Sequence, residues 1–244
     1  MARDKSSLAT YFKNFEYIGN RNFQGKQHFG ERLSLFIFPY LSLFSQLVVV
    51  GSSAYAVRNL TRETRVLAIY FAVSFVLTVI QLLLALNGIN NLWIYQFFCP
   101  VQFVLLAFVF FRWNENSFVG IFIRYSVPTF VLAWCVSAFL VANPAATLTY
   151  ADPISAVVLI LVSSYTLVRL DRLEGSSVLD VPAFWISAAT IAYFGGTLVF
   201  SALSISLLRA SIQTMQIAWS TQSVVSILAN LVYAGGFLCL RRKT

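Results

Sequence analysis

Charged side chains are scarce in this chain. Of its 244 residues, 11% are charged and 59% are hydrophobic, whereas a soluble domain carries about a quarter charged residues. Nine acids and 17 bases are too few to cover the surface of a water-soluble fold of this length. The composition therefore excludes an ordinary soluble protein and predicts that lipid solvates much of the surface.

Histidine and lysine are almost absent from the apolar part of the chain. His28 is the only histidine and precedes the first apolar run, which excludes haem ligation by paired histidines and a histidine-based metal or protease site within the membrane. The lysines stand at 5, 13, 26 and 243, so no predicted span can form a retinal Schiff base. No Asp or Glu lies well inside a predicted span, although proton-coupled carriers usually need such a group.

Motifs of enzymes are also missing. The chain has no Gly-x-Ser-x-Gly sequence, phosphate loop or paired-cysteine motif. Cys99, Cys135 and Cys239 lie on three different predicted helices, and we expect them to be packing thiols. We therefore predict that the protein is not an enzyme and has no metal or cofactor other than a bound lipid or pigment. A membrane enzyme acting on lipid is the weakest alternative.

Seven long apolar runs fill the chain after its polar start. About 20 mostly apolar residues are needed to cross the hydrocarbon layer as a helix. Such runs lie near 33–57, 66–87, 92–113, 119–141, 153–169, 181–208 and 216–240. They are continuously apolar, unlike the alternating strands of about 10 residues that build membrane barrels. The sequence therefore predicts an all-α integral membrane protein, a bundle of seven transmembrane helices over 33–244.

The segment 1–32 is polar and basic. Ser6 and Ser7 are suited to cap a short helix. The apolar residues that follow share one helical face: Leu8, Tyr11, Phe12, Phe15 and Ile18. We expect an amphipathic helix lying on the membrane surface; docking onto a partner subunit and an unstructured tail are the alternatives.

Lys and Arg flank the predicted spans unequally, which sets the orientation under the positive-inside rule. Ten lie near one side: Arg58, Arg62, Arg65, Arg112, Arg124, Arg169, Arg172, Arg241, Arg242 and Lys243. Four lie near the other: Arg21, Lys26, Arg32 and Arg209. We therefore predict a multi-pass protein of the bacterial cytoplasmic (inner) membrane with its N-terminus outside and its C-terminus cytoplasmic. Contact with lipid headgroups accounts for the net charge of +8, so we expect no nucleic-acid partner.

Two Asp residues stand just before a proline near the start of a run. Asp152 precedes Pro153, and Asp180 lies two residues before Pro182. Asp accepts hydrogen bonds from the free amides of a helix start, where Pro has no amide to satisfy. We interpret both acids as helix caps; proton carriers are the alternative.

Short similarities suggest an internal repeat. Trp93-Ile94-Tyr95-Gln96 opens the third run and Trp219-Ser220-Thr221-Gln222 opens the seventh, while similar Ser-Tyr-Arg segments end the first and fifth. A 3+1+3 arrangement follows, in which spans 1–3 and 5–7 are parallel copies and the fourth span links them. Parallel repeats about the membrane normal are known in transporters.

Amide side chains supply most of the polarity within the runs. They are Gln46, Gln81, Gln96, Gln102, Gln222 and Asn230. Hydrogen bonds between helices are one interpretation. The functional interpretation is a ligand-binding pocket that opens outward, with Gln96 and Gln222 facing each other under Trp93 and Trp219. Tryptophan at a membrane interface is also ordinary placement.

Two further features concern the fourth and sixth runs. Arg124 lies inside the fourth run, and it is a candidate ligand-binding residue because charges within a span are usually functional. Its alternatives are snorkelling to the interface and pairing with Glu115 or with a partner subunit. In the sixth run, Ala188, Ala192 and Gly196 form a row that is typical of close helix packing.

Three segments resemble those of a group of small bacterial membrane proteins with seven helices. They are Asn90-Asn91-Leu92-Trp93-Ile94-Tyr95, Pro182-Ala183-Phe184-Trp185-Ile186-Ser187 and Tyr193-Phe194-Gly195-Gly196. The similarity covers about residues 35–240, and it implies fold and topology but no activity. In that group a His often stands where Gln96 and Gln222 are here, so any role of that His is lost or changed. The topology also loosely resembles that of SWEET and PQ-loop carriers and of opsins, a likeness that carries no function.

Two functions fit these observations. The first is a non-enzymatic accessory or sensory subunit that binds an apolar ligand, a lipid or pigment, or a partner membrane protein. It is motivated by 23 Phe, 11 Tyr and 5 Trp without a catalytic or coupling group. The alternative is a facilitator-type transporter of a small neutral solute. The expected partners are membrane lipid and, for the first function, other membrane protein subunits.

Overall fold

The described part of the chain is entirely helical. A computed structural model describes residues 29–87, 89, 91–140, 144–171, 178–208 and 212–242. Its α-helices are α1 (Phe29–Tyr55), α2 (Arg62–Leu86), α3 (Leu92–Trp113), α4 (Phe118–Leu140), α5 (Pro144–Asp171), α6 (Pro182–Leu208) and α7 (Ile212–Arg242). Short 3₁₀ turns at Val57–Asn59 and Val178–Asp180 precede α2 and α6. The predicted surface helix in 1–32 lies outside the described residues, except that α1 already begins at Phe29.

Helices α2 to α7 each contain a stretch long and apolar enough to cross a membrane. The six stretches are Arg62–Leu84, Trp93–Trp113, Phe118–Ala138, Ala151–Leu170, Pro182–Phe200 and Ser220–Arg241. Most of their large outward side chains are apolar, as a lipid environment requires. This composition fits the membrane protein expected from the sequence.

Six helices pack in a ring, and one lies outside it. Going round the ring, α1 contacts α2, α2 contacts α3, α3 contacts α5, α5 contacts α6, α6 contacts α7, and α7 returns to α1. Helix α4 packs outside the ring against α3 and α5. We call the end of the bundle with Arg58, Arg112 and Arg169 the basic end, and the other the opposite end.

The interior of the bundle is built mainly from large apolar side chains. Phe103 and Phe110 of α3, Ile186 of α6 and Phe237 of α7 are fully buried. The ring of Phe71, from α2, lies edge-on to that of Tyr233 on α7, with 4.7 Å between centroids. Because lipid tails are as apolar as these side chains, close packing and polar contacts must hold the helices together.

Hydroxyl side chains within the helices bond to their own backbone. Ser163 donates to the Leu159 carbonyl at 2.6 Å, and Thr190 donates to the Ile186 carbonyl at 2.7 Å. This bond to a residue one turn earlier gives a buried hydroxyl a partner within its own helix. It explains why Ser and Thr occur in runs that are otherwise apolar.

The predicted start of the fifth helix was wrong. Helix α5 begins at Pro144, so Asp152 and Pro153 lie inside it rather than at its cap. Pro144 itself occupies the first helical position, where a missing amide costs nothing. Helix α6 begins at Pro182 as expected, but Val181 rather than Asp180 directly precedes it.

Helices α6 and α7 approach closely at glycine. A Cβ atom placed on Gly196 would stand 2.5 Å from Cγ1 of Val225. A Cβ atom on Gly236 of α7 would stand 3.1 Å from Cγ1 of Ile186 and 3.2 Å from Cβ of Trp185 on α6, a close but looser contact. The predicted small-residue row contributes only in part, because Ala192 is exposed.

Replacing Gly196 by Ala will destabilise the α6–α7 contact, because the added methyl group meets Val225. Overpacking of this kind costs about 1–3 kcal/mol. Gly195→Ala is the matched control, since nothing lies within 4 Å of a Cβ at that position and both changes gain the same helix propensity. Melting temperatures in a mild detergent should be lower for Gly196→Ala than for Gly195→Ala; equal values would show that the contact is not tight.

Candidate functional site

Gln96 and Gln222 lie on helices that are not neighbours in the ring. Gln96 lies on α3 and Gln222 on α7, on opposite sides of the ring, with α2 and α1 between them on one side and α5 and α6 on the other. Gln96 is only 7% exposed. The Gln222 amide donates to Oγ1 of Thr197 on the neighbouring α6 at 3.0 Å. Gln222 therefore makes an interhelical hydrogen bond, as the packing interpretation expects.

Of the two predicted lid residues, only Trp93 has a side chain that the structure describes. Trp93 is 53% exposed on the surface of α3, a placement typical of a tryptophan at a membrane interface. The side chain of Trp219 lies outside the described residues. The ligand pocket formed by these four residues stays a prediction from sequence.

Arg124 lies on the outward face of α4. Its neighbours Ile121 and Tyr125 are also exposed, at 56% and 69%. Glu115, one of its predicted partners, instead pairs with Arg112 at 2.7 Å. Among the described residues Arg124 forms no ion pair, and its position near the basic end agrees with a side chain that reaches the membrane interface.

A polar cluster lies where α3, α5 and α6 meet, and Asp152 is its charged member. The Tyr95 hydroxyl of α3 donates to Oδ1 of Asp152 on α5 at 3.2 Å. Both side chains are partly buried, and Asp152 is the second residue of the membrane-length stretch Ala151–Leu170. Sequence analysis missed this site because Asp-Pro also marks a helix start.

Further polar groups surround the Asp152 carboxylate. Cys99 of α3 and Tyr193 of α6 lie near enough to interact with it electrostatically. Ser155, one turn along α5 from the acid, lies beside Cys99, and the Gln102 side chain of α3 lies beside Tyr193. Tyr95, Cys99 and Gln102 recur at helical spacing on one face of α3, a signal that the sequence contained but that only the neighbouring helices make meaningful.

Two prolines add backbone acceptors to this cluster. Pro100 and Pro153 lie inside α3 and α5 and carry no amide hydrogen. The carbonyl groups four residues earlier, of Gln96 and of residue 149, therefore lose their usual helical donor. The cluster thus combines a carboxylate, phenol hydroxyls and backbone carbonyls, which are groups that accept hydrogen bonds or bind positive charge.

The basic end is closed by a separate network. Asn114, fully buried after the end of α3, donates to Oγ1 of Thr166 on α5 at 2.8 Å. Arg169 of α5 donates to the Trp113 carbonyl at 3.2 Å, and Arg112 pairs with Glu63 of α2 at 3.4 Å. These contacts tie α2, α3 and α5 together at this end, whereas the Asp152 cluster lies toward the opposite end.

Comparison with known proteins finds no matching family model, curated sequence or solved structure. The described residues contain no group of His, Cys, Asp and Glu suited to hold a metal ion. The function must therefore be argued from the Asp152 cluster itself.

The two interpretations of Gln222 give different energetic couplings. A double-mutant cycle of Gln222→Ala with Thr197→Val should show a coupling near 0.6 kcal/mol, the average for such bonds in membranes. The cycle of Gln222→Ala with Gln96→Ala should be additive, because α3 and α7 are not neighbours. Unfolding in detergent measures both cycles; coupling only in the second would favour the pocket predicted from sequence.

Proposed function

We propose that this protein is a non-enzymatic carrier for a small solute that donates hydrogen bonds, with the Asp152 cluster as its binding site. The observation that carries the proposal is the carboxylate of Asp152, bonded to Tyr95 between helices suited to span a membrane. A charge in a membrane segment is costly and is usually kept for function. Its position at a junction of three helices gives a solute contacts from all of them.

The order of helices in the ring supports a carrier. Moving three positions round the ring leads from α1, α2 and α3 to α5, α6 and α7, respectively. The α1–α2 and α2–α3 contacts then correspond to the α5–α6 and α6–α7 contacts. In the proposed architecture, α1 is a seventh span and α4 links two parallel halves. Repeats of this kind let one half move against the other around a fixed site.

The chemistry of the cluster restricts the solute. Its carboxylate repels anions, while its hydroxyl and carbonyl oxygens accept hydrogen bonds. An amine or a neutral polyol fits these groups. A small neutral solute, which the sequence already suggested, is therefore still a possible substrate in this proposal. Its principal contacts would be Asp152 and Tyr95 rather than Gln96 and Gln222.

The proposed location is the bacterial cytoplasmic membrane. Its orientation has the basic end in the cytoplasm, the N-terminus outside and the C-terminus inside, because Lys and Arg accumulate on the cytoplasmic side. In that orientation the Asp152 cluster is nearer the outer face, and the Asn114–Arg169 network closes the inner face.

Asp152→Asn will abolish carrier-mediated uptake, because it removes the charge while keeping the size of the side chain. Tyr95→Phe removes one hydrogen bond, and we expect uptake to fall about two- to tenfold. Proteoliposomes with the purified chain measure uptake of a labelled hexose, a zwitterionic amino acid and an aliphatic amine.

Two controls keep this test specific. Asp180→Asn removes an exposed acid at the basic end, and Tyr125→Phe removes an exposed hydroxyl on α4; both should transport like the wild type. Uptake that is unchanged in Asp152→Asn, or that never exceeds protein-free vesicles for any of the three solutes, contradicts the proposal.

A second candidate is the accessory or sensory subunit, and the outward face of α4 favours it. Phe118, Tyr125 and Leu132 on this face are 79%, 69% and 66% exposed. Because α4 lies outside the ring, this face is available to a lipid, a pigment or a partner membrane protein without disturbing the bundle. A lipid-facing helix also exposes apolar side chains, so only a bound partner separates this function from the carrier.

Co-migration in a mild detergent tests the second candidate. The native protein should then move with a stoichiometric partner or pigment, and Phe118→Ala with Leu132→Ala should weaken that association. Leu228→Ala with Leu231→Ala on the outward face of α7 is the matched control. Migration of the native protein alone would contradict the subunit function.

A further inference from the structure

Four arginines meet at one corner of the basic end. Arg58 lies in the turn after α1, Arg62 and Arg65 lie in the first turn of α2, and Arg241 lies at the end of α7. The side-chain amide of Asn59 donates to the Leu240 carbonyl at 3.5 Å. This contact holds the α1–α2 turn beside the end of α7, so the four bases share one surface.

An aromatic side chain lies within this corner. The Arg241 guanidinium carbon stands 3.8 Å from the centroid of the Tyr55 ring, a cation–π contact. Tyr55 is itself 62% exposed. An exposed tyrosine with a basic side chain is the combination found where proteins meet lipid headgroups.

The acid nearest to these bases in the sequence is already engaged elsewhere. Glu63 pairs with Arg112 of α3 at 3.4 Å, and its side chain is only 18% exposed. Arg58, Arg62 and Arg65 are exposed and form no ion pair with a described residue. Like charges held close together repel one another, so an anion from outside the chain would relieve their repulsion.

An apolar track leads away from the bases along α2. Ile69, Val76 and Leu83 are 53%, 54% and 54% exposed, and Val73 and Ile80 lie between them on the same face. These apolar residues and the two arginines at 62 and 65 recur every three or four positions. They therefore form one stripe along the helix. The stripe is complementary to a phospholipid: its arginines are suited to the phosphate, and its apolar side chains are suited to an acyl chain along the helix.

We propose that this corner is a specific binding site for an anionic phospholipid. Its phosphate contacts Arg58, Arg62 and Arg65 beside Tyr55 and Arg241, and one acyl chain lies along the outward face of α2. A zwitterionic lipid fits less well, because its ammonium group would face the same cluster of bases. The site lies apart from the Asp152 cluster and does not depend on the proposed transport.

The experiment uses the purified full chain and three probes: phosphatidylglycerol, phosphatidylcholine with the same acyl chains, and inorganic phosphate. Native mass spectrometry measures bound lipid, and melting temperature measures stabilisation. Each arginine near an anionic surface contributes about a fivefold change in affinity. The variant with Arg58→Gln, Arg62→Gln and Arg65→Gln should therefore lose at least about tenfold in affinity for phosphatidylglycerol, and the single variants should lose less.

Arg124→Gln is the matched control, since it removes an exposed arginine of α4 away from this corner. It should bind phosphatidylglycerol like the wild type. The single variants keep the test decisive if the triple variant does not fold. Equal binding of the two lipids, an equal loss in Arg124→Gln, unchanged single variants, or displacement of the lipid by inorganic phosphate would each overturn the proposal.

Discussion

The need to pair polar groups inside the protein governs most of this structure. Where lipid replaces water, an unpaired amide or hydroxyl finds no solvent partner. Helices meet the need for the backbone, and the hydroxyls of Ser163 and Thr190 meet it by bonding one turn back. Other polar contacts join two helices, as when Asn230 of α7 donates to Ser45 of α1 at 2.9 Å. Hydrogen-bonding side chains therefore mark the contact surfaces between helices, which we call seams.

The seams differ in what they contain. The α6–α7 seam is tight, with Gly196 and Gly236 against side chains of the facing helix, and its hydroxyl pair of Thr190 and Tyr233 lies at 2.7 Å. The junction of α3, α5 and α6 instead contains a carboxylate and two prolines, which weaken local helical bonding. A rigid seam beside a polar, less regular one is an arrangement that allows movement at the second without loss of the first.

The positions of the helices could be predicted from the sequence, but the pairs of helices that pack together could not. Predicted and observed bounds of α3 are identical, because a continuous apolar run ends at charged or turn residues at both ends. The start of α5 was missed, since Asp152-Pro153 and Asn143-Pro144 are equally good starts in sequence. Nor did the sequence reveal that Gln96 and Gln222 lie on helices that are not neighbours in the ring. Apolar periodicity reports that a segment is a helix, but all seven are apolar on several faces, so it cannot say which faces meet.

The place of α4 has a consequence for the direction of the chain. A unit of three spans starts on one side of a membrane and ends on the other, so a second unit joined directly to it would run upside down. In the proposed architecture, α4 is the extra crossing that restores the direction, and its main contacts are with the two helices that it connects in sequence, α3 and α5. Without that crossing, Arg169 and Arg241 would emerge on the face opposite to Arg58 and Arg112. In that architecture, the outermost helix is the element that keeps the charges of both proposed halves on the same side.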